Sequence, residues 1–162
     1  MTTICSIRHA VPWYIAKQYN TYRNDLIHQL TKEITSSLYV TITLQNGTTL
    51  YEMYDGFSVS DEAEKYQIFL AGPATGTLGD SKIDTGFHYY NQSGMYFSTP
   101  DRDNNRYSSH CAAVYRGGWW YNRCHSSFLN APSFPGDLSN PRYPTVTSGT
   151  SVKGTTMMIR RN

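Results

Sequence analysis

Apolar and polar residues alternate along Leu38, Val40, Ile42 and Leu44, the two-residue period of a strand with one buried face. Asn46-Gly47 follows, a dipeptide suited to a tight hairpin turn because both residues tolerate positive φ. Leu50 to Val59 and Tyr66 to Leu70 then continue an antiparallel meander. Ahead of these strands, DLIHQLTKE sets Leu26, Ile27 and Leu30 at helical intervals and predicts a short helix starting near Asp25. His28 falls within it and reads as a packed or surface histidine rather than a ligand. Beyond Leu70 the pattern dissolves. AGPATGTLGD and DTGFHYYNQSG are glycine-rich and read as irregular connections carrying aromatic anchors. No internal repeat or low-complexity tract is present.

At 162 residues the chain is long enough for one domain with a usable core. Fourteen tyrosines, twelve glycines and only 16% charged residues favour an extracellular setting. A net charge of +2 without a basic run offers no phosphate-tracking stripe, so nucleic acid is not an expected partner. No apolar stretch approaches the roughly 20 residues of a membrane span. Polar and charged residues interrupt every candidate hydrophobic core in residues 1–25, so no secretory signal is visible. Asn46-Gly47-Thr48 and Asn91-Gln92-Ser93 are glycosylation sequons, which arise often by chance. Histidines at 9, 28, 88, 110 and 125 make no HExxH spacing, and no nucleophile elbow occurs. Cys124 and His125 are sequence neighbours, whose side chains usually diverge, so they are no catalytic dyad. Binding rather than catalysis is expected.

The densest chemistry lies in DRDNNRYSSHCAAVYRGGWWYNRCH, residues 101–125. Asp101, Asp103 and Asn105 alternate, so a loop could aim several oxygens at one point, as a hard cation such as calcium requires. An EF-hand is excluded: counted from Asp101, Arg106 stands where the sharp turn needs glycine, and Ala112 where a bidentate glutamate is needed. A plain solvated loop remains the alternative, since Asp and Asn favour turns by themselves. Cys111 and Cys124 enclose a short segment. A bridge between them would stabilise the fold by about 3 kcal/mol through lost loop entropy. In a cytosolic protein they would instead stay reduced or bind metal.

GMYFSTPDRDN (94–104), CAAVYRGGWWYNRCHSSFLN (111–130) and SVKGTTMMIR (151–160) resemble the fibrinogen-related domains, the family of fibrinogen chains, ficolins, tachylectins and angiopoietins. DLIHQLT and YDGFSVSDEAEKYQIFLAG resemble them too, so the likeness covers about residues 25–160. It implies an α+β fold, a partial fibrinogen C-terminal domain. Residues 25–80 would form a short antiparallel sheet with a helix, and residues 81–162 a loop-rich calcium- and ligand-binding subdomain. Residues 1–24 stay unassigned, and Cys5 has no evident partner. The family's opening glycine-tryptophan region and paired cysteines are missing, so an N-terminally truncated chain is expected.

The resemblance further implies a Cys111–Cys124 disulfide and hence a secreted, extracellular protein. Calcium (Ca2+) would be held by the side chains of Asp103 and Asn105 and the backbone carbonyls of Tyr107 and Ser109, with waters completing the shell. Many members have aspartate in place of Asn105; the neutral amide should weaken the ion, with Asp101 compensating in part. In sugar-binding members Tyr115 and His125 match the residues that frame an acetyl group beside the ion. Members that capture a peptide amine carry an acid at the tyrosine position, and Tyr115 supplies no charge at neutral pH. The Cys124–His125 peptide is expected cis, aiming a backbone N–H into the pocket, at a cost of about 3–4 kcal/mol. Tyr143 is the candidate for the far wall. Trp119 and Trp120 are assigned to packing. The implied function is a calcium-assisted lectin for acetylated glycans in innate recognition, its avidity supplied by several copies, since full-length relatives oligomerise. The alternative is a protein–protein module of the angiopoietin or fibrinogen type, or a fragment that binds nothing.

Overall fold

A computed structural model describes residues 14–15, 21–79, 91–125, 127–129 and 152–162. Among these residues two helices, α1 (Thr21–Thr31) and α2 (Cys111–Tyr115), accompany two antiparallel sheets, an α+β arrangement. The main sheet has six strands. It runs β1 (Tyr14–Ile15), β8 (Val152–Arg161), β2 (Ser36–Leu44), β3 (Thr49–Val59) and β4 (Ile68–Leu70), with β5 (Thr75–Gly76) also paired to β3. The second sheet joins β6 (Phe97–Ser98) to β7 (Trp119–Trp120).

The alternation in β2 sets which face is dry. Leu38, Val40 and Ile42 are fully buried, opposite Tyr54, Glu52 and Leu50 of β3 and Ile159, Met157 and Thr155 of β8. The β2–β3 turn is a tight hairpin as expected, but it does not use positive φ at both Asn46 and Gly47. Gly47 N–H reaches Leu44 O (3.0 Å), Leu44 N–H reaches Thr48 O (2.8 Å), and of the turn residues only Gly47 has positive φ, at 85°. This is a three-residue loop closed by a left-handed glycine, which spares Asn46 the left-handed region.

Helix α1 begins before Asp25 and seals the end of β3. The Thr31 hydroxyl donates to Ile27 O (2.9 Å) and accepts Val59 N–H (3.1 Å), while His28 Nδ1 donates to Val59 O (2.9 Å). Both main-chain groups of Val59 are thereby satisfied, and His28 is a packing residue. The boundaries read from sequence shift in three places. Residues 14–15 are a strand of the main sheet and α1 opens at Thr21, inside the segment left unassigned. β8 pairs with β1 and β2, so residues 152–161 belong to the sheet rather than to the loop-rich part. Within AGPATGTLGD, Thr75 and Gly76 form β5, and Leu78 is buried with its N–H on Tyr51 O (2.8 Å). Cys5 lies outside the described residues.

Two consecutive residues before β4, Lys65 and Tyr66, are left-handed (φ 54° and 51°). Their carbonyls therefore turn toward the small sheet: Lys65 O accepts Phe97 N–H (3.0 Å) and Tyr66 O accepts the Trp120 indole N–H (2.7 Å). The Tyr66 hydroxyl donates to Asp25 of α1 (2.6 Å). Burial, then that hydrogen bond and the charge of Asp25, push the phenol above its ordinary pKa.

Gly56 is the extra residue of a bulge in β3, since Ser36 faces Phe57 while Ser37 faces Asp55. Its φ is +73°, and a Cβ there would stand 2.6 Å from the Ala71 Cβ. Gly56→Ala should therefore cost about 2 kcal/mol or more in urea unfolding, strain and overlap together. A second expectation concerns alkali. Above the ordinary tyrosine pKa of about 10 the unfolded chain releases the Tyr66 proton while the fold retains it, so stability falls with rising pH. Tyr66→Phe should make that fall shallower by one proton's slope when unfolding midpoints are compared between neutral and alkaline buffers.

Candidate functional site

The residues singled out in sequence gather around α2 and the segment that follows β7. The helix is only 5 residues long and ends with Arg116 in the left-handed region (φ 57°), where the Gly117 N–H caps Ala112 O at 3.2 Å. Gly118 then lets the backbone pass closely under β6, for a Cβ there would lie 2.8 Å from the Phe97 ring. Trp119 and Trp120 follow, both fully buried, in the packing role expected of them.

Cys111 and Cys124 form a disulfide with Cα atoms 5.3 Å apart, tying the start of α2 to the segment after β7. The Cys124–His125 peptide is trans, contrary to the expectation of a cis bond. The reversal is made instead by Cys124 itself, left-handed at φ 57°, with Asn122 N–H on Cys124 O at 3.1 Å. One left-handed residue costs about 1–2 kcal/mol, less than a non-proline cis bond.

This turn delivers His125 onto an aromatic cluster. Tyr115 and His125 meet edge to face with ring centroids 4.4 Å apart, at an interplanar angle of 74°. Tyr121 stacks near-parallel to Tyr115 (6.4 Å), and Phe128 backs His125 (5.1 Å) and Tyr121 (5.5 Å). His125, Tyr121 and Phe128 are buried, while Tyr115 is half-buried and forms the rim. The Tyr121 hydroxyl donates to Gly117 O (2.9 Å); burial, then the neighbouring Tyr115, push this phenol well above the ordinary range and keep it neutral. Because the Tyr115 and His125 rings touch, no group fits between them. A small ligand would rest on the outer edge of the pair.

Next to the cluster runs the oxygen-bearing loop. Asn104 fastens it to β6: its N–H donates to the Ser98 hydroxyl (3.0 Å) and its Nδ2 to Phe97 O (2.7 Å). Asp103 and Asn105 are brought face to face, the carboxylate accepting both the backbone N–H (3.2 Å) and the side-chain amide of Asn105. Asn105 Oδ1 accepts Tyr107 N–H (2.9 Å) and lies 3.3 Å from the Cys111 sulfur, so the loop touches the bridge directly. Tyr107 and Ser109 are exposed, and Arg123 covers the Tyr107 ring at 5.2 Å. Asp101 turns to the Thr99 hydroxyl, which first among several contacts holds its carboxyl below the usual range. Among the described residues no three His, Cys, Asp or Glu side chains gather as a metal cluster. The donors of Asp103, Asn105, Tyr107 and Ser109 are all oxygens, which suits a hard cation, but they carry a single formal negative charge, few for a divalent ion.

Tyr143 lies outside the described residues. Sequence reading passed over Tyr121 and Phe128, which complete the wall. It also passed over Gln92, whose Nε2 clamps Ser127 at its carbonyl (2.7 Å) and hydroxyl (3.0 Å) and so anchors the strip beyond His125. The recurrence of aromatics through YNRCHSSF is the one signal that pointed to the wall.

Comparison with known proteins agrees with this architecture. The family model described as the C-terminal globular domain of fibrinogen beta and gamma chains matches residues 15–162. Fibroleukin of Bos taurus is 42% identical over 108 residues, 66% of this chain and 24% of the relative. Ryncolin-4 of Cerberus rynchops is 38% identical over 107 residues, 66% of this chain and 29% of the relative. The matched part thus spans about a quarter of the length of these curated relatives. Among solved structures, lamprey fibrin D-dimer complexed with the peptide Gly-His-Arg-Pro-amide superposes with a TM-score of 0.84 at 25% identity, covering 97% of this chain and 63% of that one. The fibrinogen-like globe domain of human ANGPTL6 gives 0.77 at 23% identity, covering 100% and 90%. Among the described residues no helix is long and apolar enough to cross a membrane. With the family model spanning nearly the whole sequence, and the sheet, disulfide and aromatic core all in place, this chain belongs to the fibrinogen C-terminal domain family.

Proposed function

We propose that this protein is a secreted, calcium-assisted, lectin-like module that binds acetylated groups, N-acetylated sugars foremost. The observation that carries the reading is Tyr115 seated against His125 at 4.4 Å, beside the Cys111–Cys124 bridge and the Asp103–Asn105 loop. An acetyl methyl packs favourably on the edge of an aromatic pair. A tyrosine at the rim suits that neutral group and gives an ammonium no counter-charge. Calcium would be held by Asp103 and Asn105 with the carbonyls of Tyr107 and Ser109. Bound there, it would supply a fixed positive centre that stiffens the loop against Cys111. A single rim site of this size is weak, so useful avidity would come from several copies. The work is binding, in keeping with a family of non-catalytic recognition domains.

A protein–protein role is the second reading. The likeness to lamprey fibrin favours it, because that structure holds a peptide ligand.

An immobilised N-acetylated glycan separates the two. The lectin is retained and then released by free acetate and by chelator; retention indifferent to acetate supports the protein-binding role. Tyr115→Asp should abolish acetate-sensitive retention while leaving the circular dichroism spectrum unchanged, and survival of that retention would remove Tyr115 from the pocket. Calcium is tested separately by thermal unfolding, because an ion bound only to the fold raises the midpoint. Asn105→Asp adds a carboxylate and should tighten calcium roughly tenfold, on the scale of one added charge near the ion. Asp103→Asn should erase the calcium-dependent rise. A midpoint indifferent to calcium in all three proteins would dismiss the ion.

A further inference from the structure

The two glycosylation sequons, Asn46-Gly47-Thr48 and Asn91-Gln92-Ser93, stand in opposite surroundings, and we infer that Asn46 is an N-glycosylation site whereas Asn91 is left bare. Asn46, Gly47 and Thr48 are all exposed, at the tip of the β2–β3 hairpin. The tip lies beyond the last cross-strand pairs of the sheet, Thr43 with Thr49 and Leu44 with Val152. A Cβ built on Gly47 meets no atom within 4 Å, so the middle of the sequon borders open space. Asn46 also holds an ordinary negative φ, and its Oδ1 accepts the Thr48 N–H (2.9 Å), which leaves the amide nitrogen directed away from that contact. A bulky hydrophilic glycan is accommodated there without displacing any packed side chain.

The second sequon is sewn into the fold. The Ser93 hydroxyl accepts Leu70 N–H (3.0 Å) and donates to Leu70 O (3.2 Å), binding the loop to β4. Gln92 is fully buried with its amide on Ser127. Asn91 is half-buried, and its carbonyl accepts Asn122 Nδ2 (2.8 Å), next to the turn that carries Cys124. Asn91 Oδ1 accepts Ser93 N–H (2.8 Å) as Asn46 Oδ1 accepts Thr48 N–H, but here the two residues that complete the sequon are held on Ser127 and on β4, so the acceptor segment is bound into the fold and the folded protein carries no glycan at Asn91.

The donor is a polyprenyl-diphosphate-linked oligosaccharide. The Asn46 Nδ2–C1 bond forms, the C1–O bond to the diphosphate breaks, the lipid diphosphate leaves, and one Nδ2 proton is released. Modification requires passage through the secretory route and is independent of which ligand the aromatic site takes.

The test expresses the full chain behind a heterologous signal sequence in mammalian cells and digests both medium and lysate with peptide-N-glycosidase. One glycan is expected on the wild-type protein, with glycopeptide mass spectrometry reading Asn46 as aspartate after digestion. Thr48→Ala destroys the sequon while keeping Asn46-Gly47 in the turn, and it should abolish the mobility shift; Asn46→Gln should do the same. Asn91→Gln should leave the shift unchanged. A shift that persists in Thr48→Ala, or a wild-type protein bare in medium and lysate alike, would overturn the assignment of Asn46. A glycan on Asn91 in folded, secreted protein would overturn its exclusion.

Discussion

The loop-rich half of this protein depends on two adjacent carbonyls. Lys65 and Tyr66 sit side by side in the left-handed region, and so turn Lys65 O onto Phe97 and Tyr66 O onto the Trp120 indole. Each left-handed residue costs about 1–2 kcal/mol. Offsetting that cost is a pair of hydrogen bonds across 32 and 54 residues of sequence, and with them the burial of two tryptophans and Phe97. Phe97 packs edge-on to Trp120 (5.2 Å), and Trp119 packs against both Trp120 (5.6 Å) and Phe128 (5.8 Å). Two strands of two residues each have almost no intrinsic stability. They persist because their aromatic side chains are held against the edge of a large sheet.

The candidate site inherits its geometry from that anchor. β7 continues directly into Tyr121, and Tyr121 leads through the left-handed Cys124 to His125. The disulfide returns the backbone to the head of α2, whose last residue is Tyr115. Tyr115 and His125 thus meet because three constraints agree: a buried strand below, a covalent link at one end, and the Arg116–Gly118 reversal at the other. The loop 101–109 joins this frame through Asn105, whose Oδ1 lies 3.3 Å from the Cys111 sulfur.

Legibility in the sequence tracked how local the governing interaction is. The period of Leu38, Val40 and Ile42 announced a one-faced strand because burial acts on each residue in turn. Asn46-Gly47 announced the hairpin but not its loop length, since that depends on whether both residues or Gly47 alone take positive φ. β5 was illegible: two residues, Thr75 and Gly76, pair only because β3 offers an edge beside Met53 and Glu52. The place of β8 between β1 and β2 was equally hidden, because strand order records a contact more than a hundred residues distant in sequence. Glu52, fully buried on the core face of β3 with the Tyr54 hydroxyl 3.4 Å from its carboxylate, breaks the apolar pattern for a tertiary reason that no local rule contains. In the site, family likeness supplied Tyr115, His125 and the disulfide. It misassigned the Cys124–His125 peptide, whose turn is made by φ at Cys124.

That misassignment bears on what the pocket can recognise. A cis peptide would have aimed its own N–H inward and given the ligand a backbone donor. With the peptide trans, what the proposed site offers a ligand is the ring edges of Tyr115 and His125, an aromatic surface suited to an apolar group. Shape readout of a single methyl is worth only about 1–3 kcal/mol. Under the proposed function, such a site would separate acetylated from unacetylated surfaces through several weak contacts rather than one strong one. Selectivity for an acetylated surface would then rest on several copies presented together, each with its edge held by Trp120, the bridge and Asn104.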